Sequence, residues 1–93
     1  MKIQNMTSAK GNKVANQFII FDSNATYFQS YNSIIVKTTF EDGKRVVYLD
    51  EHYWDYSVTT GKYRNLFLGE NKATTERKIK SGEYRLTDLN GGN

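Results

Sequence analysis

Residues 34–50 read IIVKTTFEDGKRVVYLD. Asp42-Gly43 separates two runs rich in β-branched and aromatic residues, and this dipeptide is typical of the type I′ turn of a β-hairpin. The hairpin register would pair Glu41 with Lys44, Phe40 with Arg45, Thr38 with Val47, and Val36 with Leu49. One face would then carry Ile34, Val36, Phe40, Val47 and Leu49, and the other Lys37, Thr39, Glu41, Lys44 and Tyr48. This division predicts an antiparallel sheet with one solvated face.

Further strands are predicted on both sides of this hairpin. Residues 18–21 form a continuous apolar run that is too short for an ordinary helix, which favours a buried strand. Residues 26–31 would be its hairpin partner, so the sequence predicts a four-stranded antiparallel meander. Residues 84–89 alternate and predict a C-terminal strand with Tyr84 and Leu86 on one side. The polar residues 1–12 predict either a flexible arm or a short edge strand.

The hydrophobic period changes after the aromatic segment Tyr53-Trp54-Asp55-Tyr56. Apolar residues at 63, 66 and 67 follow the spacing of one helical face, and Gly69 would end that helix. Its N-cap is one of three hydroxyl residues: Ser57, Thr59 or Thr60.

A second short helix is predicted from about residue 73 to residue 81, between Asn71 as the N-cap and Gly82 as the stop. Together these elements predict an α+β fold with both helices on one face of the sheet. Residues 1–93 would form a single domain that ends in a flexible tail at residues 90–93.

The composition excludes several classes of protein. The chain has no cysteine, so it has neither disulfides nor thiolate metal sites. It shows no secretory signal and no apolar run long enough to span a membrane, so we expect a soluble intracellular protein without a membrane partner. Residues 1–13 hold three lysines, residues 14–61 have a net charge of −3, and residues 62–93 have a net charge of +3. Such basic ends are found in nucleic-acid-binding proteins and also in ordinary solvated surfaces.

Residues 50–56 contain the only His and the only Trp of the chain, together with three carboxylates. In an extended strand, Asp50 and His52 would share one face, whereas Glu51 and Asp55 would share the other. A small metal-dependent nuclease using His52 with Asp50 is therefore one hypothesis, and a plain strand end is the simpler one. The same parity predicts that Trp54 anchors the core. Because no nucleophilic constellation and no phosphate loop is present, we expect no enzyme activity, no cofactor and no bound metal.

The candidate binding residues are exposed aromatics and a basic set interleaved with aromatics, as in nucleic-acid grooves. They are Tyr53, Tyr56, Lys62, Arg64, Arg77, Lys78, Lys80 and Arg85. The alternative is a solvated helical face, since acids at 70, 76 and 83 lie among the cations.

Several motifs, spread over nearly the whole chain, resemble a known family. They are Met6-Thr7-Ser8, GNKVANQFII at 11–20, YFQSY at 27–31, Ser33-Ile34-Ile35, and WDYSVTTGKY at 54–63. These motifs are similar to those of a family of small uncharacterised proteins of bacteriophages and prophages of Gram-positive bacteria. The resemblance carries over no site residue, but it implies a phage accessory protein in the host bacterial cytoplasm.

In that setting we expect an inhibitor that binds a host defence effector, a protein or ribonucleoprotein such as a CRISPR nuclease, in the manner of an anti-CRISPR. The alternative is a nucleic-acid-binding module in phage replication or transcription. An exposed edge strand in a small β-rich domain also makes a homodimer a reasonable expectation.

Overall fold

The computed structural model describes residues 1–91 and contains one six-stranded sheet and two helices. The elements are β1 (Lys2–Thr7), β2 (Lys13–Phe21), β3 (Ala25–Ser30), β4 (Ser33–Glu41), β5 (Lys44–Asp50), α1 (Val58–Leu68), α2 (Lys72–Ser81) and β6 (Tyr84–Thr87). The strands lie in sequence order, and each pair from β1 to β5 is antiparallel. Strand β6 runs parallel to β5, because the two helices return the chain to the starting end of β5. The α+β prediction is confirmed.

The predicted hairpin is confirmed in its turn and in its register. Asp42 and Gly43 have φ of 54° and 79°, the positive values that a type I′ turn requires. The pairs from Glu41 with Lys44 to Val36 with Leu49 form as predicted. The face predicted for Ile34 is wrong, because a bulge shifts the register between β3 and β4 and pairs Ile34 with Gln29. The bulge places Ile35, which has no pairing partner, in the core beside Val36.

The sheet is larger than the predicted four-stranded meander. Of the two predictions for residues 1–12, the edge strand is correct, since β1 pairs with β2 along its length. Strand β2 begins at Lys13, earlier than its apolar run, because Lys13 pairs with Thr7 of β1; an irregular register separates this pair from the one between Phe18 and Asn5. Strand β6 ends at Thr87, two residues earlier than predicted.

Both helices begin and end at predicted residues. The Ser57 Oγ accepts a hydrogen bond from the Thr60 N–H at 3.1 Å, and Gly69 ends α1 with a φ of 72°. The Asn71 Oδ1 accepts from the Thr74 N–H at 2.9 Å and caps α2 in the same way. These caps satisfy backbone groups that every helix terminus leaves without an intrahelical partner.

The first residue of the predicted flexible tail, Asn90, makes hydrogen bonds to the sheet. The Asn90 side chain donates to the Ile34 carbonyl at 3.0 Å and accepts from the Ile34 N–H at 2.7 Å, as a neighbouring strand would. The rest of that prediction, at residues 92–93, lies outside the described residues.

The helices cover one face of the sheet. Phe28 on β3 is fully buried there and stacks on Phe67 of α1, with ring centroids 5.8 Å apart. The core also contains Met6, Ile35, Val36, Val47, Leu49, Tyr63, Leu68 and Tyr84. Within residues 1–91, both helices are too short or too polar to cross a membrane.

The opposite face of the sheet has no helix over it among the described residues. Because side chains alternate along a strand, the neighbours of core residues point to this side. Paired positions carry one row across all six strands: Ile3, Ile20, Tyr27, Lys37, Tyr48 and Arg85. We call the surface around this row the open face.

Candidate functional site

The segment between β5 and α1 is a series of turns, so the parity argument from an extended strand does not apply to residues 51–57. Asp50 organises these turns. Its Oδ2 accepts from the backbone N–H groups of His52 and Tyr53 at 3.0 and 2.9 Å. Its Oδ1 accepts from the Leu89 N–H at 2.8 Å and the Asn90 side chain at 2.9 Å. Burial would raise the pKa of the Asp50 carboxyl, but these hydrogen bonds to the charged form hold it below its ordinary value.

This bonding leaves no room for the proposed metal site. Each carboxylate oxygen of Asp50 already accepts two hydrogen bonds. His52 Nε2 lies 3.6 Å from Oε2 of Glu51 and is not paired with Asp50. Among residues 1–91, no three His, Cys, Asp or Glu side chains come together in a way that could hold a metal ion.

A buried guanidinium ties the turns to α1. Arg64 is 1% exposed, and its Nη1 donates to the Trp54 carbonyl at 2.8 Å and to Asp55 Oδ1 at 3.0 Å. Its Nη2 donates to Asn65 Oδ1 at 2.9 Å, and its plane lies over the Trp54 ring at 5.2 Å. Lys72, at the start of α2, contacts the other oxygen of Asp55 at 2.6 Å. Burial would raise the pKa of Asp55, but Lys72 and Arg64 together hold it below its ordinary value.

A third carboxylate, that of Glu70, joins α2 to the sheet. Glu70 Oε1 accepts from Lys78 Nζ and from the Tyr84 hydroxyl, both at 2.9 Å, and Oε2 accepts from Thr75 at 2.6 Å. Burial would raise the pKa of Glu70, but these donors hold it below its ordinary value. Lys78 is therefore held inside the protein by an ion pair.

The outer side of α1 lines a cleft of about 1250 Å³, to which Asp55 and Glu70 also contribute. The loop after β1 and the connection between α1 and α2 also line it. The lining residues are Thr7, Ser8, Ala9, Asp55, Ser57, Val58, Gly61, Lys62, Tyr63, Arg64, Asn65, Leu66, Gly69, Glu70, Asn71 and Lys72. We call this the α1 cleft. Its volume exceeds the 300–1,000 Å³ of most small-molecule sites.

The α1 cleft exposes apolar side chains that the fold leaves uncovered. Val58 is 91% exposed and Leu66 is 57% exposed, and both lie along the outer side of α1. Lys62 lies between them, with its Nζ 5.5 Å from the Tyr63 ring and no ion pair within residues 1–91. Val58 and Leu66 are therefore apolar surface on this side of α1 that a docked molecule could cover.

The predicted site residues lie in different places. Tyr53 and Tyr56 are exposed on the turns and pack edge to face, with ring centroids 5.6 Å apart. Tyr56 lies between two residues that line the α1 cleft, and Lys62 lines it directly. Arg64 lines it too, but its guanidinium is buried and bonded within the protein. Arg64 is predicted above as a surface contact, but its partner is Asp55, nine residues earlier in the chain.

The remaining cations are dispersed. Arg77 and Lys80 are exposed on α2, Lys78 is paired with Glu70, and Arg85 lies on the open face. The continuous basic segment in the sequence is therefore not one basic surface.

Four features were not predicted from the sequence: the α1 cleft and the roles of three carboxylates, Asp50, Asp55 and Glu70, as acceptors in these networks. One signal was available: Val58 and Leu66 are eight residues apart, the spacing of one helical face, and both are apolar.

Residues 1–83 match the model of a family of unknown function, DUF8033. No curated protein and no solved structure matches the chain.

Proposed function

Since the chain belongs to DUF8033, whose function is unknown, we propose a function from its own surfaces: a non-enzymatic binding protein that docks a host protein in the α1 cleft. In this proposal the chain is a phage or prophage accessory protein. It acts in the host cytoplasm and inhibits a defence effector, such as a CRISPR nuclease, by direct contact.

The observation that carries the proposal is the exposed apolar side of α1. Val58 and Leu66 remain accessible beside a cleft of about 1250 Å³, although α1 already buries another side in the core. Apolar surface that is exposed in one place contributes to the free energy of binding when a partner removes it from water.

The chemistry around the cleft supports a protein partner with an acidic side chain near its apolar contacts. Lys62 has no ion pair within residues 1–91, whereas Arg64 and Lys72 both pair with the carboxylate of Asp55. An interface with an apolar centre, an aromatic such as Tyr56 and a charged rim is the usual arrangement between proteins.

The bonding of the carboxylates supports a non-enzymatic role. Asp50, Asp55 and Glu70 all have pKa values held below the ordinary range by their donors, so none is poised near neutral pH as a general acid or base.

The experiment is an inhibition assay with purified components. The wild-type protein and a Leu66→Asp variant are titrated into DNA cleavage by the CRISPR effectors of a Gram-positive host. We expect the wild type to inhibit at about equimolar concentration. Leu66→Asp should weaken inhibition by at least about tenfold, because it buries a charge in the interface.

The matched control is Ile3→Asp, which places the same charge at an exposed aliphatic position on the open face. It should inhibit as the wild type does. If the wild type left cleavage and phage restriction unchanged, the proposed function would be wrong. If both variants lost inhibition equally, the contact would lie outside the α1 cleft.

A further inference from the structure

The open face lies on the side of the sheet away from the α1 cleft, and its central row alternates aromatic and cationic side chains. Tyr27 on β3, Lys37 on β4, Tyr48 on β5 and Arg85 on β6 occupy successive paired positions. Neighbouring strands are separated by about 4.8 Å, so the two tyrosines lie roughly 10 Å apart with a lysine between them.

Each of these side chains points away from the core because its chain neighbour points into it. Phe28, Val36, Leu49 and Tyr84 are buried under the helices, and each directly adjoins one member of the row. Tyr27, Lys37 and Tyr48 are half-buried in the row, and Arg85 is 58% exposed at its end.

The charged groups around Tyr48 are arranged over its ring. Lys37 Nζ and Arg85 Cζ lie 5.7 and 5.8 Å from the ring centroid, and the Tyr48 hydroxyl donates to Glu41. On β4–β6 the open face thus carries the cations Lys37, Lys44 and Arg85 and the accessible acid Glu41. Its local charge is positive, which favours an anionic ligand.

We propose that the open face binds single-stranded nucleic acid, with bases stacked on Tyr27 and Tyr48 and phosphates at Lys37 and Arg85. Aromatic platforms interleaved with cations bind unpaired bases with little dependence on sequence, because every base has a π-face. A duplex keeps its bases stacked inside and offers none to the two rings.

The position of Lys37 favours a nucleic acid over a protein as the ligand of the open face. Protein interfaces are depleted of charge at their centre, whereas Lys37 lies between the two tyrosines at the centre of the row. A second copy of the chain is also disfavoured. A two-fold interface places one patch on itself and would bring the cations of both copies together.

The experiment measures fluorescence anisotropy of labelled oligo(dT) and oligo(rU), each about 15 nucleotides long, a length within the range of single-strand binding sites. We expect both to bind, and a duplex of the same length to bind more weakly. With the two cations Lys37 and Arg85 engaged, the slope of log affinity against log salt should be about −1.4, which corresponds to roughly a sevenfold loss between about 50 and 200 mM salt.

Two kinds of variant test the placement. Tyr27→Ala removes one platform and should weaken binding by at least about fivefold. Lys37→Gln retains a long polar side chain, leaves the fold intact and should reduce the salt slope by about 0.7. Circular dichroism of each variant confirms the fold.

The controls are an aromatic and a cation away from the open face, Tyr56→Ala and Arg77→Ala, which should bind within about twofold of the wild type. The proposal is overturned if neither oligonucleotide binds at about 50 mM salt, or if the controls lose as much affinity as Tyr27→Ala. It is also overturned if sedimentation shows a dimer that Tyr27→Ala dissociates, because a second copy would then cover this face. None of these outcomes depends on the inhibition assay, so the two proposals fail independently.

Discussion

The two sides of the sheet use charged residues in different ways. On the helix side, Arg64 and Lys72 share Asp55, and Lys78 is held by Glu70, so these cations join elements of the fold to one another. On the open face, Lys37 and Arg85 lie beside an aromatic ring and are exposed or half-buried.

This difference shows which cations can act in binding. A buried guanidinium that loses its partner leaves an uncompensated charge, so Arg64 must keep Asp55 and cannot turn to a ligand. An exposed cation loses little when it changes partner. Binding capacity therefore depends on exposure more than on the number of basic residues along the chain.

The largest contrast is expected between two neighbouring residues. Phe28→Ala should lower the free energy of unfolding by about 3–5 kcal/mol, because Phe28 is fully buried and stacked on Phe67. Tyr27→Ala should lower it by only about 1 kcal/mol, since Tyr27 is half-buried on the open face. Urea unfolding followed by Trp54 fluorescence measures both. Equal losses would show that the open face is packed like a core.

The sequence could predict this contrast in part. Strict alternation and the Asp42-Gly43 turn were sufficient to assign the faces of β4 and β5 near the hairpin. They could not predict the bulge at Ile35, because adjacent apolar residues at 34 and 35 fit either face equally well. Nor could they show that residues 51–57 turn, since the cause is the Asp50 carboxylate, whose other partners lie about 40 residues away at Leu89 and Asn90.

The second effect tests the carboxylate that ties the turns to the C-terminal segment. Asp50→Asn should cost about 2–3 kcal/mol at neutral pH, because an amide N–H₂ would replace an oxygen that accepts from two donors. The size of the loss follows from unfolding midpoints in urea. A loss below about 0.5 kcal/mol would show that these hydrogen bonds are replaced by water at little cost.

Asp50 and two other carboxylates with lowered pKa values predict how the free energy of unfolding depends on pH. The pKa values of Asp50, Asp55 and Glu70 are lower in the folded state than in the unfolded state, so the unfolded chain binds more protons in acid. Their stabilisation is present above the unfolded pKa of about 4 and is lost as the pH falls through the lower folded values.

We therefore expect a constant unfolding midpoint from about pH 6 to pH 8 and a steady decrease below about pH 5. The unfolding midpoint of Asp50→Asn should decrease less steeply than that of the wild type over that acid range. A variant that retained the wild-type acid slope would assign the pH dependence to other carboxylates.

A third effect compares the two ion pairs directly. Asp55→Asn should cost about 2 kcal/mol, because it leaves the guanidinium of Arg64 buried with no charged partner. Glu41→Gln removes the exposed partner of Arg85 and should cost less than about 0.5 kcal/mol. Added salt should reduce the stability cost of Glu41→Gln, because it screens the exposed pair. It should leave the cost of Asp55→Asn nearly unchanged.

The candidate sites were less predictable than the fold. The basic residues from 62 to 85 are close in sequence, but a helix turns every 3.6 residues and β6 follows on another layer, so they separate in space. The open face combines residues from six strands, and its row becomes visible only when every register is known.

The smallest expected effect on stability separates binding from folding. A Lys37→Gln/Arg85→Gln double variant should unfold within about 0.5 kcal/mol of the wild type, since both side chains are on the open face and neither joins two elements through a buried pair. The same variant removes both cations that lie beside the Tyr48 ring. Chemical unfolding and oligonucleotide binding, measured on one preparation, should therefore give unchanged stability and weakened affinity. If stability fell by about 2 kcal/mol, these cations would be structural like Arg64, and the difference between the two sides of the sheet would disappear.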